Sequence, residues 1–149
     1  MNVFCRLMLG ILFVTFLPAC AKQVPLKGTA LDEKARFHVS AEGLVTDTQM
    51  GLMWAPAPDR DVNWNQAEEY VKSLKLGGYT DWRLPTLSEL KSLYQQERAL
   101  TALHFSRWAW SSEVTGSSAS LFNFDHGVEF IDDLVDSRTN RVLPVRVQK

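Results

Sequence analysis

The sequence predicts a small α+β domain whose strands are concentrated toward the C-terminus. Two segments, residues 63–74 and 86–94, repeat apolar residues at helical spacing behind a capping residue. From residue 108 onward, short runs alternate apolar and polar residues between turn signals. The 149 residues are 46% hydrophobic and 22% charged, which is typical of a single globular domain.

The first 19 residues have the layout of a secretory signal peptide. Arg6 is followed by an apolar run over residues 7–17 and then by the small residue Ala19. A membrane-spanning helix needs about 20 apolar residues, so this run is too short to be one. We therefore expect residues 1–19 to be absent from the mature protein.

The tetrapeptide Leu-Pro-Ala-Cys at residues 17–20 resembles a bacterial lipobox. The resemblance implies cleavage before Cys20 and acyl chains on its sulfur and new amine, which would anchor the protein to a membrane. An ordinary signal peptide cut near Ala19 or Ala21 is the alternative. Residues 21–22 lack the Asp of an inner-membrane retention signal. This favours the outer membrane, on its periplasmic or surface face.

The mature chain is predicted to divide into a tether over residues 20–35 and one domain over residues 36–149. The tether contains Pro25 and Gly28 and has no apolar period. The domain would be lipid-anchored but otherwise independent of the membrane.

Cysteine and charge exclude several classes of function. Cys5 and Cys20 both precede the domain, which therefore has no disulfide, thiolate metal site or cysteine nucleophile. Removing Arg6 with the leader leaves 15 of the 16 basic residues against 17 acidic ones. This balance argues against nucleic acid as a partner, because nucleic-acid binding needs a basic surface.

Three short strands are predicted at the start of the domain, over residues 36–39, 43–47 and 52–55. The first alternates polar and apolar residues as an edge strand does. The third is apolar throughout and ends at Pro56, because proline cannot donate a hydrogen bond to a neighbouring strand.

The first helix is predicted to begin after Asn63, a favourable N-cap. Glu68 and Lys72 form an i,i+4 pair on its polar side. The glycines at residues 77–78 are predicted to end it. Its apolar stripe consists of Trp64, Ala67, Val71 and Leu74.

The second helix follows a short extended piece at residues 82–84, which Pro85 keeps out of the helical region. Thr86 and Glu89 have the spacing of a capping box. The helix is predicted to fade near Gln96. Its buried face is formed by Leu87, Leu90, Leu93 and Tyr94.

The last third of the chain is predicted to be β-structure, with a hairpin turn at residues 125–127. Pro144 indicates an edge or a bulge in the last strand. The acidic residues Asp132, Asp133 and Asp136 are predicted to lie in the loop before that strand. The predicted strands are residues 108–112, 120–125, 128–131 and 141–147.

Several pieces of the sequence occur in an order typical of one bacterial family. The most specific is D-W-R-L-P-T-x-x-E-L at residues 81–90. Together the pieces resemble the Lcl C-terminal-like domain, known also as a domain of unknown function in secreted and surface proteins, over residues 36–147. The other matching pieces are residues 43–54, 63–74, 77–80, 108–113, 123–127 and 145–147.

The family is related to the C-type-lectin-like fold. The resemblance therefore implies two amphipathic helices packed on a twisted, mainly antiparallel sheet. Many members carry one cysteine near Val71 and another near Pro144, and this sequence has neither. Their joint absence is consistent with a missing disulfide, which is typically worth about 2–4 kcal/mol.

The five tryptophans could form a sugar-stacking platform or belong to the core, and we expect most of them in the core. Trp108 and Trp110 share one strand face, and either could be partly exposed. With Asn123 and Asp125 they form the predicted ligand-binding set. The remaining tryptophans are Trp54, Trp64 and Trp82.

Asp81 and Arg83 flank Trp82 in the most specific motif. Arg83 could bind an anion, but we favour an internal ion pair and hydrogen bonds that fix the turn before Pro85. The predicted structural motif consists of Asp81, Trp82, Arg83, Pro85, Thr86 and Glu89.

No metal or other cofactor is predicted. The acidic loop offers oxygen ligands of the kind that Ca²⁺ binds. Calcium-dependent sugar binding in the related fold uses E-P-N or Q-P-D with W-N-D, and none of these is present. A solvated loop is therefore the favoured interpretation. The histidines, His38, His104 and His126, lack the spacing of a zinc site.

The predicted function is a non-enzymatic binding domain on an envelope lipoprotein, with a glycan or an envelope protein as partner. The family's best-understood relative is an adhesin domain that binds sulfated glycans as a trimer. This chain lacks that protein's collagen-like stem and has no basic excess. The relative is therefore weak support for binding of a sulfated glycan by this chain. A structural subunit of an envelope complex is the alternative. An unrecognised hydrolase would need a paired acid and base, and the sequence contains no recognisable pair.

Overall fold

The computed structural model of the protein describes residues 35–136 and 139–149. The predicted signal peptide, Cys20 and residues 20–34 of the predicted tether lie outside this part of the chain. The described residues contain eight strands and three helices. In chain order they are β1 (Phe37–Val39), β2 (Val45–Asp47), β3 (Leu52–Trp54), α1 (Trp64–Ser73), α2 (Leu87–Leu93), α3 (Glu97–Ala102), β4 (Trp108–Thr115), β5 (Ser118–Asn123), β6 (Val128–Asp133), β7 (Asn140–Arg141) and β8 (Val145–Val147).

Within the described residues the strands form two four-stranded sheets. The first has the order β1-β2-β3-β8, and all its neighbours are antiparallel. The second has the order β6-β5-β4-β7, in which only the β4–β7 pair is parallel. The predicted α+β class is confirmed, and both sheets are mainly antiparallel. The expectation of two helices on one sheet was wrong, since the described residues form two sheets and three helices.

Helix α1 begins as predicted. The Asn63 side chain accepts the Gln66 N–H at 2.9 Å, and the Gln66 side chain accepts the Asn63 N–H at 3.0 Å. The predicted Glu68–Lys72 ion pair is present at 2.5 Å. The predicted C-terminal end of the helix was wrong, because the helix ends at Ser73 and the backbone of Leu74 is already extended. The glycines at 77–78 instead form the following turn.

The second predicted helix is present as α2, with Thr86 as its cap and Leu90 and Leu93 buried. A third helix, α3, was not predicted. It has six residues and no side-chain cap, so the local signals that reveal a helix are missing. Tertiary packing supports it instead, since Ala99 is fully buried in the core.

Two predictions for the C-terminal third were wrong. Asp132 and Asp133 belong to strand β6, whereas the sequence placed them in a loop. The predicted strand at 141–147 is two strands, β7 and β8, which belong to different sheets. Pro144 lies between them, and its carbonyl accepts the Ala55 N–H at 3.0 Å. The chain therefore crosses between the sheets where a continuous strand was expected.

Alternating strand residues divide between two buried clusters. In β3, Leu52 and Trp54 pack with helix α2, whereas Met53 packs with helix α1. The indoles of Trp54 and Trp110 are completely buried, one in each cluster. Among the described residues, no helix has the length and apolar character required to cross a membrane.

Candidate functional site

A groove lies on one face of the second sheet, where β4, β5 and β6 run side by side. The strand register sets Trp110, Leu121 and Phe130 in one row, beside the row that begins at Trp108. The groove has a volume of about 250 Å³. We call it the Trp108 groove; it is lined by Trp108, Leu121, Phe130, Asp132, Thr139 and Asn140.

Two aromatic rings form the apolar wall of the Trp108 groove. The Trp108 and Phe130 rings have centroids 5.7 Å apart and planes inclined at 60°. Phe130 is 55% exposed, and Trp108 is half-buried. An aromatic ring that is open to solvent offers an apolar surface on which the C–H face of a ligand can stack.

The opposite side of the groove is polar. The Asn140 side-chain amide donates a hydrogen bond to the Asp132 carboxylate at 3.1 Å. Asn140 is buried, and the parallel pairing of β7 with β4 holds its backbone beside Trp108. The groove therefore combines an aromatic wall with a carboxylate, an amide and a hydroxyl, the last from Thr139. Binding sites for small polar ligands have this composition.

The predicted ligand-binding set does not form one surface. Only Trp108 lines the groove, because Trp110 is completely buried and its indole N–H donates to the Val62 carbonyl at 2.8 Å. Asn123 is also buried, and its side-chain oxygen accepts the backbone N–H of Asp125 at 2.8 Å. Asp125 is exposed in the hairpin turn. Asn123 therefore shapes the turn.

The other groove residues were not predicted as site residues. Phe130 and Leu121 were read only as alternating strand residues, and Asn140 lay just outside a predicted strand. Strand alternation does assign Trp108 and Phe130 each to one face of its own strand. The register between the strands decides whether those positions meet, and no local signal contains that register.

The 81–90 motif is held by two ion pairs, one inside the motif and one to a distant part of the chain. Arg83 forms a two-pronged ion pair with Glu89, with N–O distances of 2.8 and 2.6 Å. Asp81 pairs with Arg146 of β8 at 2.7 and 3.1 Å. The motif therefore contains an internal ion pair, but its partners are Arg83 and Glu89. Asp81 instead fastens the motif to the last strand.

The remaining members of the motif also have structural contacts. Trp82 is buried in the cluster around α1. The Pro85 carbonyl accepts the Ser112 N–H at 2.7 Å, which joins the motif to β4. Thr86 caps α2, and the backbone N–H of Thr86 donates to Glu89 at 2.8 Å.

Both carboxyl groups of these ion pairs are acidified. The hydrogen bond from Arg146 lowers the pKa of Asp81 below its ordinary value. Burial raises the pKa of Glu89, but the hydrogen bonds from Arg83 and Thr86 outweigh burial and leave that pKa below its ordinary value. Both groups are therefore ionised at neutral pH. Arg83 is already paired with the Glu89 carboxylate, so an external anion would have to compete with Glu89.

Two further cavities lie along α1. One has a volume of about 350 Å³, and Arg60 covers the Tyr70 ring beside it, at 5.6 Å from the ring centroid. The other, of about 490 Å³, is lined by Trp64 and polar helix residues. The Trp64 indole N–H donates to the Ser111 carbonyl at 2.8 Å, so that group is not available to a ligand. Each of these cavities is lined by a single aromatic side chain, whereas two aromatic rings meet in the Trp108 groove.

The described acidic residues near β6 do not form a cluster of the kind that binds a metal ion. Within residues 35–136 and 139–149, no group of three or more His, Cys, Asp or Glu side chains is arranged to hold a metal ion. Asp132 and Asp133 lie in successive strand positions, so their side chains point to opposite faces of the sheet.

Comparison with known proteins gives one family. A family model described as the Lcl C-terminal domain matches residues 43–146, which is more than half of the chain. The matched span contains the 81–90 motif and every residue that lines the Trp108 groove. No curated protein matches this sequence.

Proposed function

Because the chain belongs to the Lcl C-terminal domain family, we propose that its folded domain is a non-catalytic module that binds a carbohydrate in the Trp108 groove. The supporting observation is the meeting of the Trp108 and Phe130 rings beside Asp132 and Asn140. A sugar ring has apolar C–H faces and a rim of hydroxyl groups. It can therefore use the aromatic wall and the polar side of the groove together.

The proposal of a binding role without catalysis is supported by the acid–base content of the groove. Among the described residues that line it, Asp132 is the one carboxylic acid. Enzymes that hydrolyse glycosidic bonds ordinarily use a pair of carboxyl groups, one as acid and the other as base or nucleophile. The Asp132 carboxylate also accepts a hydrogen bond from the Asn140 amide, which fixes its position in the groove.

The charge of the groove favours an uncharged sugar over a sulfated one. Among the described residues that line it, none is Lys or Arg, and Asp132 contributes a carboxylate. A sulfate group would face this carboxylate without a cation to balance it. The volume of about 250 Å³ is below the range of about 300–1,000 Å³ for drug-sized ligands, so one sugar ring is the expected occupant.

Replacing Trp108 with alanine is expected to weaken carbohydrate binding at least tenfold, or about 1.4 kcal/mol, because the stacking wall is removed. The measurement is isothermal titration of the full chain, purified in detergent, with a neutral N-acetylglucosamine oligosaccharide. A heparin oligosaccharide of similar length serves as the sulfated comparison. We expect the neutral probe to bind more tightly than the sulfated one.

Val114→Ala is the matched control, because Val114 is 43% exposed on the same strand but does not line the groove. Its affinity for the neutral probe should equal that of the natural protein. Trp108→Phe keeps an aromatic ring and covers the case in which the alanine variant is poorly folded. Equal binding by the natural protein and both Trp108 variants, or binding of heparin alone, would contradict the proposal.

We also propose that the protein is a lipoprotein anchored through Cys20 to the outer membrane. The support is the lipobox-like tetrapeptide at 17–20 behind an apolar run. Mass spectrometry of the membrane-extracted protein should find a mature N-terminus at an acylated Cys20. Cys20→Ser should leave the protein unacylated and release it from the membrane fraction. An unmodified N-terminus would disprove the anchor without bearing on the groove.

A relationship to the C-type-lectin-like fold is part of the same proposal. It is supported by the topology of the described residues, in which β3 pairs with the C-terminal strand β8 and the helices lie between them in sequence. The first three strands of the domain and its last strand thus lie in the first sheet, whereas the groove lies on the second sheet.

A further inference from the structure

Strand β6 is the edge of the second sheet and the most exposed strand of the domain. It pairs on one side with β5 over its whole length of six residues. In the order β6-β5-β4-β7 it has no partner on its other side among the described residues. The other end strands are short, with two residues in β7 and three each in β1 and β8.

The edge is also apolar. Val128, Phe130 and Ile131 are 48%, 55% and 63% exposed, and Val135, just beyond the strand, is 69% exposed. Natural sheets usually protect an edge with charged side chains, especially lysine, or with proline or a bulge. Residues 128–133, Val-Glu-Phe-Ile-Asp-Asp, contain neither lysine nor proline, and the irregular register lies between β4 and β5. The charged residues of this edge are all acidic, so they oppose an acidic strand and leave the edge open to a basic one.

The charges of β6 are all negative. Its three charged residues are Glu129, Asp132 and Asp133. Glu129 is paired with Lys91 of α2. Asp132 accepts the Asn140 amide, and Asp133 accepts the Val135 backbone N–H at 3.1 Å, and these neutral donors leave both negative charges in place. A strand added to this edge would meet exposed apolar side chains between carboxylates.

A second copy of this chain is a poor occupant. An antiparallel pairing of two β6 strands over their full length would set Glu129 opposite Asp132 twice. A parallel pairing in register would stack each acidic residue on its own copy. Like charges opposite each other destabilise a strand pair, and an alternating basic strand avoids this penalty.

We propose that β6 receives an extended segment of a partner protein in which lysine or arginine alternates with apolar residues. The backbone of that segment would extend the sheet, its basic side chains would lie on the face of Glu129 and Asp133, and its apolar side chains would cover Val128 and Phe130 on the other face. This interaction surface shares Phe130 with the Trp108 groove, but it uses the outer backbone edge of β6 and does not need Trp108.

The test uses the full chain in detergent and two labelled peptides of eight residues. One peptide alternates Lys and Val, and the other alternates Glu and Val. Fluorescence anisotropy should give at least tenfold tighter binding of the lysine peptide. Amide hydrogen exchange should slow at least tenfold in residues 128–133 when that peptide is bound, because new backbone hydrogen bonds form along the edge.

Charge reversal supplies the decisive comparison. Glu129→Lys with Asp133→Lys should reverse the preference toward the glutamate peptide, and Asp133→Lys alone should weaken lysine-peptide binding severalfold. Glu69→Lys, an exposed change on α1, makes the same charge change elsewhere and should have no effect. Trp108→Ala should keep peptide binding even where carbohydrate binding is lost.

The proposal would be overturned by binding of neither peptide, by equal binding of both, or by protection that appears outside β6. Self-association detected by sedimentation, with protection of β6 in the absence of peptide, would identify a second copy as the occupant and would also overturn it. Failure of carbohydrate binding alone would leave the peptide result intact, so the two proposals are tested separately.

Discussion

Replacing Trp110 with alanine is expected to lower the free energy of unfolding by about 3–5 kcal/mol, the range for removal of a buried large aromatic side chain. Trp110 is 0% exposed and packs with α1 and β5 in the cluster that contains Val71 and Leu121. Its loss leaves a cavity that the two packed layers cannot close. Chemical denaturation followed by circular dichroism measures the change, and the thermal midpoint should fall by about 12 °C or more.

The indole N–H of Trp110 adds a smaller and separable contribution. Trp110→Phe keeps much of the ring volume but leaves the buried Val62 carbonyl without its 2.8 Å hydrogen bond. We expect a loss of about 1–3 kcal/mol for this variant. A Trp110→Ala protein of natural stability that had lost carbohydrate binding would show that Trp110 contacts a ligand, as the sequence pattern left open.

Gly127→Ala is expected to destabilise the protein by about 3 kcal/mol. Gly127 ends the turn between β5 and β6 with φ of +70°, which costs an L-residue roughly 1–2 kcal/mol. A Cβ at this position would also overlap Cζ of Tyr94 and lie 2.6 Å from its Cε1 and its hydroxyl oxygen. Tyr94 cannot move freely because its ring packs edge-on against Phe122 at 5.6 Å. Relieving this overlap is expected to cost roughly 1–3 kcal/mol more.

Gly116→Ala is the matched control for this prediction. Gly116 has a similar φ of +61° in the turn between β4 and β5, but a Cβ there would have no neighbour within 4 Å. Denaturant titration should give it only the conformational cost of about 1–2 kcal/mol. The excess loss in Gly127→Ala should shrink in a Tyr94→Ala background. Equal losses in the two glycine variants would refute the Tyr94 contact.

Local sequence was sufficient where the physical cause is local. Asn63 and Thr86 each bond backbone groups within the next turn, so the starts of α1 and α2 could be predicted from spacing alone. The hairpin at 125–127 is similarly local, because Asn123 and Gly127 supply its hydrogen bonds and its left-handed backbone. The short strands in the first half of the domain could be predicted from the alternation of polar and apolar residues and from Pro56, which ends the third strand.

Prediction failed where the cause lies far away in the chain. The residue pattern at 141–147 fits one continuous strand as well as two strands in different sheets. Only the pairing of β7 with β4 and of β8 with β3 distinguishes the two cases. Asp132 and Asp133 were assigned to a loop because they are charged. They lie in a strand because β6 is an edge strand whose side chains are exposed on both faces of the sheet, where charge is tolerated.

The candidate site depends on the same long-range pairing. Trp108 could be chosen from the sequence, but its neighbours Phe130 and Asn140 come from β6 and β7, which the register brings to it. Trp110 has the same strand face and the same residue type as Trp108. It differs because it is completely buried in the cluster that contains α1, whereas Trp108 packs against that cluster and is only half-buried.

The amino-acid order alone decided the α+β class, the capped starts of two helices, and the absence of sulfur chemistry from the domain, since each depends on composition or on residues within one turn of each other. The folded chain alone decided which aromatic side chains are buried, which acidic residues border a groove, and which strand is left at an edge. These features depend on strand order and register, and hydrogen bonds between residues remote in sequence set both.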